Sequence, residues 1–409
     1  MPYDRTPTRS AAPRGLLSLV AAASLAALLL AGCAGAPGVS AARSASAHPA
    51  SATPPARDLS ILAQAWAGYR SVFIASDGRV ADPKRGGATT SEGQSYALLR
   101  AVWMGDRPTF DTVWRWTAAN LQVRGDGLFA SLWSGGRVQD NNSASDADSD
   151  IALALLFGAR RFGDAEYHTS ALTVLSGMWQ HDVVSTDGMN VLTAGNWAAV
   201  QQVPGPVINP SYFAPYAYRL FAREDATHPW AGLVDSSYTL LDRCSAATLD
   251  GQHGAGLPPN WCAIARGNGS IVSFPQIAGA DDYGYDAFRV MWRVALDAVW
   301  NNEQRARDYL TRNDFLRTRW NTAQRLDPVY GHDGTVVNGY DDPTVYGGDI
   351  GAFVVADPAA ATQIEQHLLS SFHPGPPAFF GDASNYFEQN WVWFGLALAA
   401  GALPNLDGG

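Results

Sequence analysis

Apolar residues return every three or four positions through most of this 409-residue chain, and segments alternating at every second position are scarce. The stripes Leu62, Trp66, Tyr69, Phe73, then Phe110, Val113, Trp114, Thr117, Leu121, and near the end Phe387, Trp391, Phe394, Leu398 are of this kind, with Gly/Pro/Asn-rich stretches between them. That period belongs to helices with one apolar face, so the chain must fold by packing many such faces together. No shift of composition inside residues 58–403 marks a second domain, which predicts one large helical domain. Dividing about 345 residues by about 25 to 30 for a helix and its loop gives around a dozen helices, a number that suits a double ring.

The termini and charge narrow the setting. A formal net charge of −10 and a pI near 5.2 argue against nucleic acid or another polyanion as partner. Arg5, Arg9 and Arg14 precede the apolar run Leu16 to Leu30, which is short for a membrane span of about 20 residues, and then comes Leu30-Ala31-Gly32-Cys33. Residues 1–33 therefore read as a lipoprotein signal with Cys33 as the lipidated residue and the membrane as a partner through that anchor. The other reading is an ordinary secretory signal cut near Ala34 or Ala36. Residues 34–57, rich in Ala, Ser and Pro, read as a flexible tether holding the domain 58–409 outside the cytoplasm. Export predicts a disulfide between Cys244 and Cys262, with a stabilisation of about 3 kcal/mol on loop entropy. No histidine stands at zinc-ligand spacing from either cysteine, and His253 between them reads as a turn residue, so no metal is expected.

Three acidic segments carry the chemical signal. Ser91-Glu92-Gly93-Gln94-Ser95-Tyr96 opens a run with Tyr96, Leu99, Val102 and Trp103 at helical spacing, ending at Gly105. Glu92 thus falls in a first helical turn beside a bare glycine backbone. A glutamate there also complements the helix dipole and can cap, so its position alone does not separate stabiliser from acid. Ser143 to Asp150 places Asp146, Asp148 and Asp150 at a second helix start. A calcium loop is ruled out because Ile151 and Phe157 stand where glycine and glutamate are required. Dipole complementarity and N-capping are expected to account for at least one of the three. Tyr285-Asp286-Ala287-Phe288-Arg289 opens a third helix, with Phe288, Trp292, Ala295, Leu296 and Val299 on one stripe. Arg289 sits one turn from Asp286, where it can keep that carboxyl ionised and oriented or form a plain surface pair.

With these segments on view, the chain resembles glycoside hydrolase family 8, the endoglucanase, chitosanase and xylanase family that includes cellulases found with bacterial cellulose synthase. Ser91 to Tyr96 looks like the family's acid signature, Ala144 to Asp148 matches its second acidic motif, Asn209-Pro210-Ser211-Tyr212-Phe213 an interior motif, and Tyr285 to Arg289 its base motif, in family order. Ala97 and Met291 replace the glycine and proline expected beside the first and last motifs. The resemblance implies an all-α (α/α)6 barrel with carboxylates at the N-terminal ends of inner helices. It implies Glu92 as general acid, Asp286 as general base, and Asp146 as the group holding a distorted sugar. Such inverting glycosidases place the two carboxyls about 6.5 to 9.5 Å apart, one protonated and one ionised. The long loops 122–145 and 187–211 would form cleft walls, with short hairpins.

Composition agrees with a sugar-processing cleft, since 14 Trp and 15 Tyr supply many flat rings able to stack on pyranose faces. Trp133, Trp197 and Tyr212 are the expected glucosyl-binding rings, and the resemblance suggests subsite contacts for Tyr285 and Tyr386, with Arg289 beside them; for each ring, buried packing is the competing reading. The expected substrate is a β-1,4-linked polysaccharide, most simply cellulose-like glucan, with xylan or cationic chitosan as alternatives within the family. Two carboxylates and a water suffice, so no cofactor is implied. Association with cellulose-synthesis machinery and a monomeric state complete the expectations. A catalytically silent, membrane-tethered glycan-binding protein is the contrasting class, and retention of all three carboxylates speaks against it.

Overall fold

The structure, a computed structural model, describes residues 54–199 and 204–407, which form one compact unit. The expected signal, Cys33 and nearly all of the tether lie outside the described residues. Fourteen helices occur among those described: α1 (Ala56–Phe73), α2 (Ser91–Met104), α3 (Arg107–Asn120), α4 (Ser145–Phe162), α5 (Ala165–His181), the single turn α6 (Asn196–Ala199), α7 (Pro215–Glu224), α8 (Ala231–Ala246), α9 (Arg289–Asn301), α10 (Gln304–Arg312), α11 (Phe315–Ala323), α12 (Pro343–Ala356), α13 (Pro358–Ser370) and α14 (Tyr386–Ala399). None of them is long and apolar enough to cross a membrane.

Two kinds of helix alternate along the chain. In α9 every residue from Arg289 to Ala298 is buried, whereas α3 buries only Phe110, Val113, Trp116 and Thr117. A helix apolar all round must be enclosed, and one with a single stripe must lie outside it. Accordingly α2, α4, α7, α9, α12 and α14 pack in that order into a closed ring, α14 returning to α2. The outer helices α3, α5, α8, α10 and α13 each lie on the inner helix before them, and α1 lies on α14. This is an (α/α)6 barrel, as expected. The α1 stripe Leu62, Trp66, Tyr69 and Phe73 is buried as predicted, but Val299, placed on the α9 stripe, is 52% exposed.

Glycines set the closest approach in the inner ring. A Cβ on Gly347 would stand 2.2 Å from the Trp391 carbonyl oxygen and one on Gly351 2.3 Å from that of Met291, so α12 touches α14 and α9 backbone to backbone. Ala97 and Met291 lie within unbroken helices α2 and α9.

The loops expected to wall the cleft do carry hairpins. Leu132–Ser134 pairs with Arg137–Asp140 and with Thr89–Thr90, the strand leading into α2. Val183–Thr186 pairs with Met189–Leu192, and Cys262–Ile264 pairs with both Val207–Ile208 and Ile271–Val272. Cys244 and Cys262, the expected disulfide pair, are both buried and lie side by side with their sulfurs 3.1 Å apart.

Candidate active site

The three acidic segments converge at one end of the ring, at or just before inner-helix N-termini. Thr90 caps α2, its hydroxyl oxygen accepting from Gly93 N at 3.0 Å, and this sets Glu92 in the first turn. The Tyr386 ring packs over Gly93, and the Tyr386 hydroxyl donates to Glu92 Oε1 at 2.8 Å. On α4 the capping expectation is corrected, because the N-cap is Ala144 with no side-chain bond. Asp146 and Asp148 complement the dipole of the first turn, yet all three side chains have tertiary partners. Asp148 accepts from Phe129 N at 3.1 Å and so ties the wall segment to α4. Asp150 accepts from both Arg293 terminal nitrogens at 2.9 and 2.7 Å. Asp286 is also corrected: α9 begins at Arg289, so the carboxylate lies in the turns ahead of the helix.

Arg289 joins the three segments. Only 1% exposed, its Nη1 donates to Glu92 Oε2 at 3.2 Å, to Asp146 Oδ2 at 3.1 Å and to the Tyr96 hydroxyl at 3.3 Å, while Nη2 donates to Asp286 Oδ1. The surface-pair reading of Arg289 and Asp286 is therefore set aside. One helical turn deeper, Arg293 and Asp150 repeat the α9 to α4 bridge, so two charged rungs span the ring interior.

The three carboxyls stand in different surroundings. Burial holds Glu92 above the ordinary glutamate range, opposed by the Arg289 charge and the Tyr386 hydrogen bond and aided by the charge of Asp286. Burial pushes Asp146 up to about 7, with Arg289 opposing and Glu92 reinforcing. Asp146 Oδ1 is buried with no protein hydrogen-bond partner among the described residues. Asp286, with 31% of its side chain exposed, is the most open of the three, and its Oδ2 accepts from Trp261 Nε1 at 2.9 Å. The result is two enclosed carboxyls, Glu92 and Asp146, that burial biases toward the protonated form, and a third, Asp286, held by Arg289 and Trp261 at the open side.

The expected sugar-binding rings fall on two sides. Trp133, on the strand paired with Thr89, packs edge-on against Trp116 at 5.4 Å and lies 5.1 Å beneath the Arg79 guanidinium, on the Glu92 side. On the Asp286 side Tyr212 lies 5.3 Å from the Arg289 guanidinium, and Trp261 touches both Tyr212 at 5.6 Å and Trp197 at 6.1 Å. Tyr285 bonds the Tyr340 hydroxyl at 2.7 Å, farther along the rim. Trp261, Asn260 and the Tyr96 hydroxyl were missed as site groups. Tyr96 stood out as a stripe residue and as the end of the Ser91–Tyr96 motif, with no role for its hydroxyl, and no periodicity signals a loop tryptophan that reaches a carboxylate 25 residues on. Among the described residues no acidic, histidine or cysteine group could hold a metal.

An enclosed glutamate with a raised pKa and a more open aspartate at one end of an (α/α)6 barrel are the pair of carboxyls that acid-base hydrolysis of a glycosidic bond requires. The description "Glycosyl hydrolases family 8" matches residues 41–392, and the chain belongs to that family. It is 32% identical to endoglucanase A of Acetivibrio thermocellus over 275 residues, which cover 62% of this chain and 52% of that protein. It is 31% identical to an endoglucanase of Cellulomonas uda over 232 residues, 55% of this chain and 61% of that one. The chain thus spans between half and two thirds of the length of these curated relatives. In fold it superposes on a β-1,3-1,4-glucanase of a Paenibacillus species with a TM-score of 0.72 at 19% identity, covering 86% of this chain and 95% of that structure.

Proposed function

We propose that this protein is an endo-β-1,4-glucanase that hydrolyses cellulose-like β-glucan with inversion. The observation that carries the reading is the single buried guanidinium of Arg289 holding Glu92, Asp146 and Asp286 around one cleft. In the proposed step Asp286 takes a proton from a water as its oxygen bonds to the anomeric carbon, and Glu92 gives its proton to the departing glycosidic oxygen as that bond breaks. Glu92 ends ionised and Asp286 protonated, and solvent exchange restores both. Burial of Glu92 favours its protonated start, and Asp146, joined to Glu92 through Arg289, is the group proposed to hold the distorted sugar. Trp133 on one side and Trp197 and Tyr212 on the other are the proposed stacking platforms, with Tyr285 along the rim.

The test is reducing-end release from carboxymethylcellulose, mixed-linkage β-glucan, xylan and chitosan. Wild type is expected to cut a glucan, and Glu92→Gln and Asp286→Asn to lose at least about a thousandfold in kcat while staying folded. Hydrolysis of xylan or chitosan alone would move the substrate within the family, and no hydrolysis by folded wild type would favour a silent glycan-binding protein. The Leu30-Ala31-Gly32-Cys33 segment supports a second element of the proposal, an enzyme held at the extracytoplasmic face of the cell membrane by lipid on Cys33 and placed to trim polymer made by cellulose-synthesis machinery. Cys33→Ser is expected to abolish fatty-acid labelling and release the protein from the membrane fraction.

A further inference from the structure

We infer that the neighbours Asn260 and Trp261 form a cradle that positions the Asp286 carboxylate, Asn260 through the backbone and Trp261 through the side chain. The inference rests on the base role proposed above. Asp286 needs such a device because it stands on turns and not on a helix, and the N-cap of α9, Phe288, offers no side-chain bond. Backbone N–H groups ahead of a helix must find acceptors. Here one atom serves three of them: Asn260 Oδ1 accepts from Gly284 N at 3.1 Å, Asp286 N at 3.2 Å and Ala287 N at 2.9 Å. Asn260 is itself fixed, its Nδ2 donating to the Gly279 carbonyl at 2.9 Å and its backbone N to that of Asp282 at 2.7 Å.

The next residue reaches the carboxylate. Trp261 Nε1 donates to Asp286 Oδ2 at 2.9 Å while Arg289 takes Oδ1, so each oxygen has a donor and the carboxyl plane is set from both ends. Trp261 has little freedom to move. Its backbone N bonds the Ala280 carbonyl at 2.8 Å, its ring abuts Tyr212 and Trp197, and the chain passes directly into the central strand Cys262–Ile264. The indole adds a donor that carries no charge. It orients the base without adding to the positive charge that Arg289 supplies. A base held in this way loses little on reaching the geometry of attack, which is where small displacements cost most rate.

Steady-state kinetics on the full chain, with whichever of the four polymers wild type cuts, test the cradle. Trp261→Phe keeps a ring but removes the donor, and is expected to lower kcat about tenfold or more with KM within about twofold and the melting midpoint little changed. In an Asp286→Asn background the same substitution is expected to leave the residual rate unchanged within about twofold, because the group it orients is already disabled. Asn260→Asp, which keeps an acceptor oxygen, is expected to retain far more kcat than Asn260→Leu. This pair decides the matter even if Trp261→Phe fails to fold. Wild-type kcat in Trp261→Phe, a loss confined to KM, an equal loss in both backgrounds, or equal loss in both Asn260 variants would overturn the cradle while leaving the glucanase reading intact. A folded wild type that cuts no polymer would overturn that reading and the cradle with it.

Discussion

Arg289 is the residue on which the site's electrostatics turn. Two enclosed carboxyls and a third at the cleft would repel one another strongly if all were ionised, and one planar guanidinium with several donors serves all three where a lysine could not. Glu92 answers to a second donor, the Tyr386 hydroxyl, whose hydrogen bond favours the ionised form. Removing it in Tyr386→Phe raises the pKa of Glu92 further. In the proposed step Glu92 must be protonated to act, so the alkaline limb of the kcat/KM profile is expected to move to higher pH. A pH-rate series checks this, and an unmoved alkaline limb would contradict the assigned contact. The motifs made Glu92, Asp146, Asp286 and a role for Arg289 at Asp286 legible in the sequence. They did not reveal that Arg289 also serves Glu92 and Asp146, because those partners lie 197 and 143 positions away and share no local pattern with it.

Elements hold these residues through backbone geometry more than through side-chain volume. The α12 glycines show this, since Gly347 and Gly351 meet carbonyl oxygens of neighbouring helices that cannot rotate away. Gly347→Ala is expected to destabilise the fold by at least about 1–3 kcal/mol, more than the small gain in helix propensity from alanine can offset. A lowered urea midpoint would show it. At the start of α2, Thr90→Val keeps the side-chain shape but removes the cap, and a loss of about 1 kcal/mol is expected in the same assay. Element type was readable from period, as the buried stripe of α1 shows, but the start of α9 was not. The backbone bonds Arg289 N to Asp286 O, Val290 N to Ala287 O and Met291 N to Phe288 O span three residues, so the apolar spacing continues through turns that precede the true helix.

Across the whole molecule, burial lifts several carboxyls into the neutral range. It lifts Asp146 and Asp182 to about 7, Asp349 to about 8 and Glu388 to about 7. In the unfolded chain these groups titrate near 4, so between about pH 4 and 8 the folded state binds protons that the unfolded state releases. Their contribution is complete below that window and is lost as pH rises through it. The melting temperature is therefore expected to fall between pH 5 and 8.5. Asp349→Asn keeps an oxygen to accept from the Tyr283 hydroxyl but removes the proton linkage, and is expected to flatten part of that decline. A melting series with the same slope for both proteins would refute the contribution of Asp349.

The sequence by itself determined that this chain is helical and that it carries the short acidic motifs of its family, because apolar period and short motifs are local and survive without a structure. Only the tertiary structure decided that Tyr386 reaches Glu92 across 294 positions, that Trp261 and Asn260 bond Asp286, and that Asp150 belongs to a buried bridge and not a cap. The reason is ring closure. Period tells a residue which way to face, while its neighbour across the cleft is fixed only when α14 packs back on α2 and closes the ring.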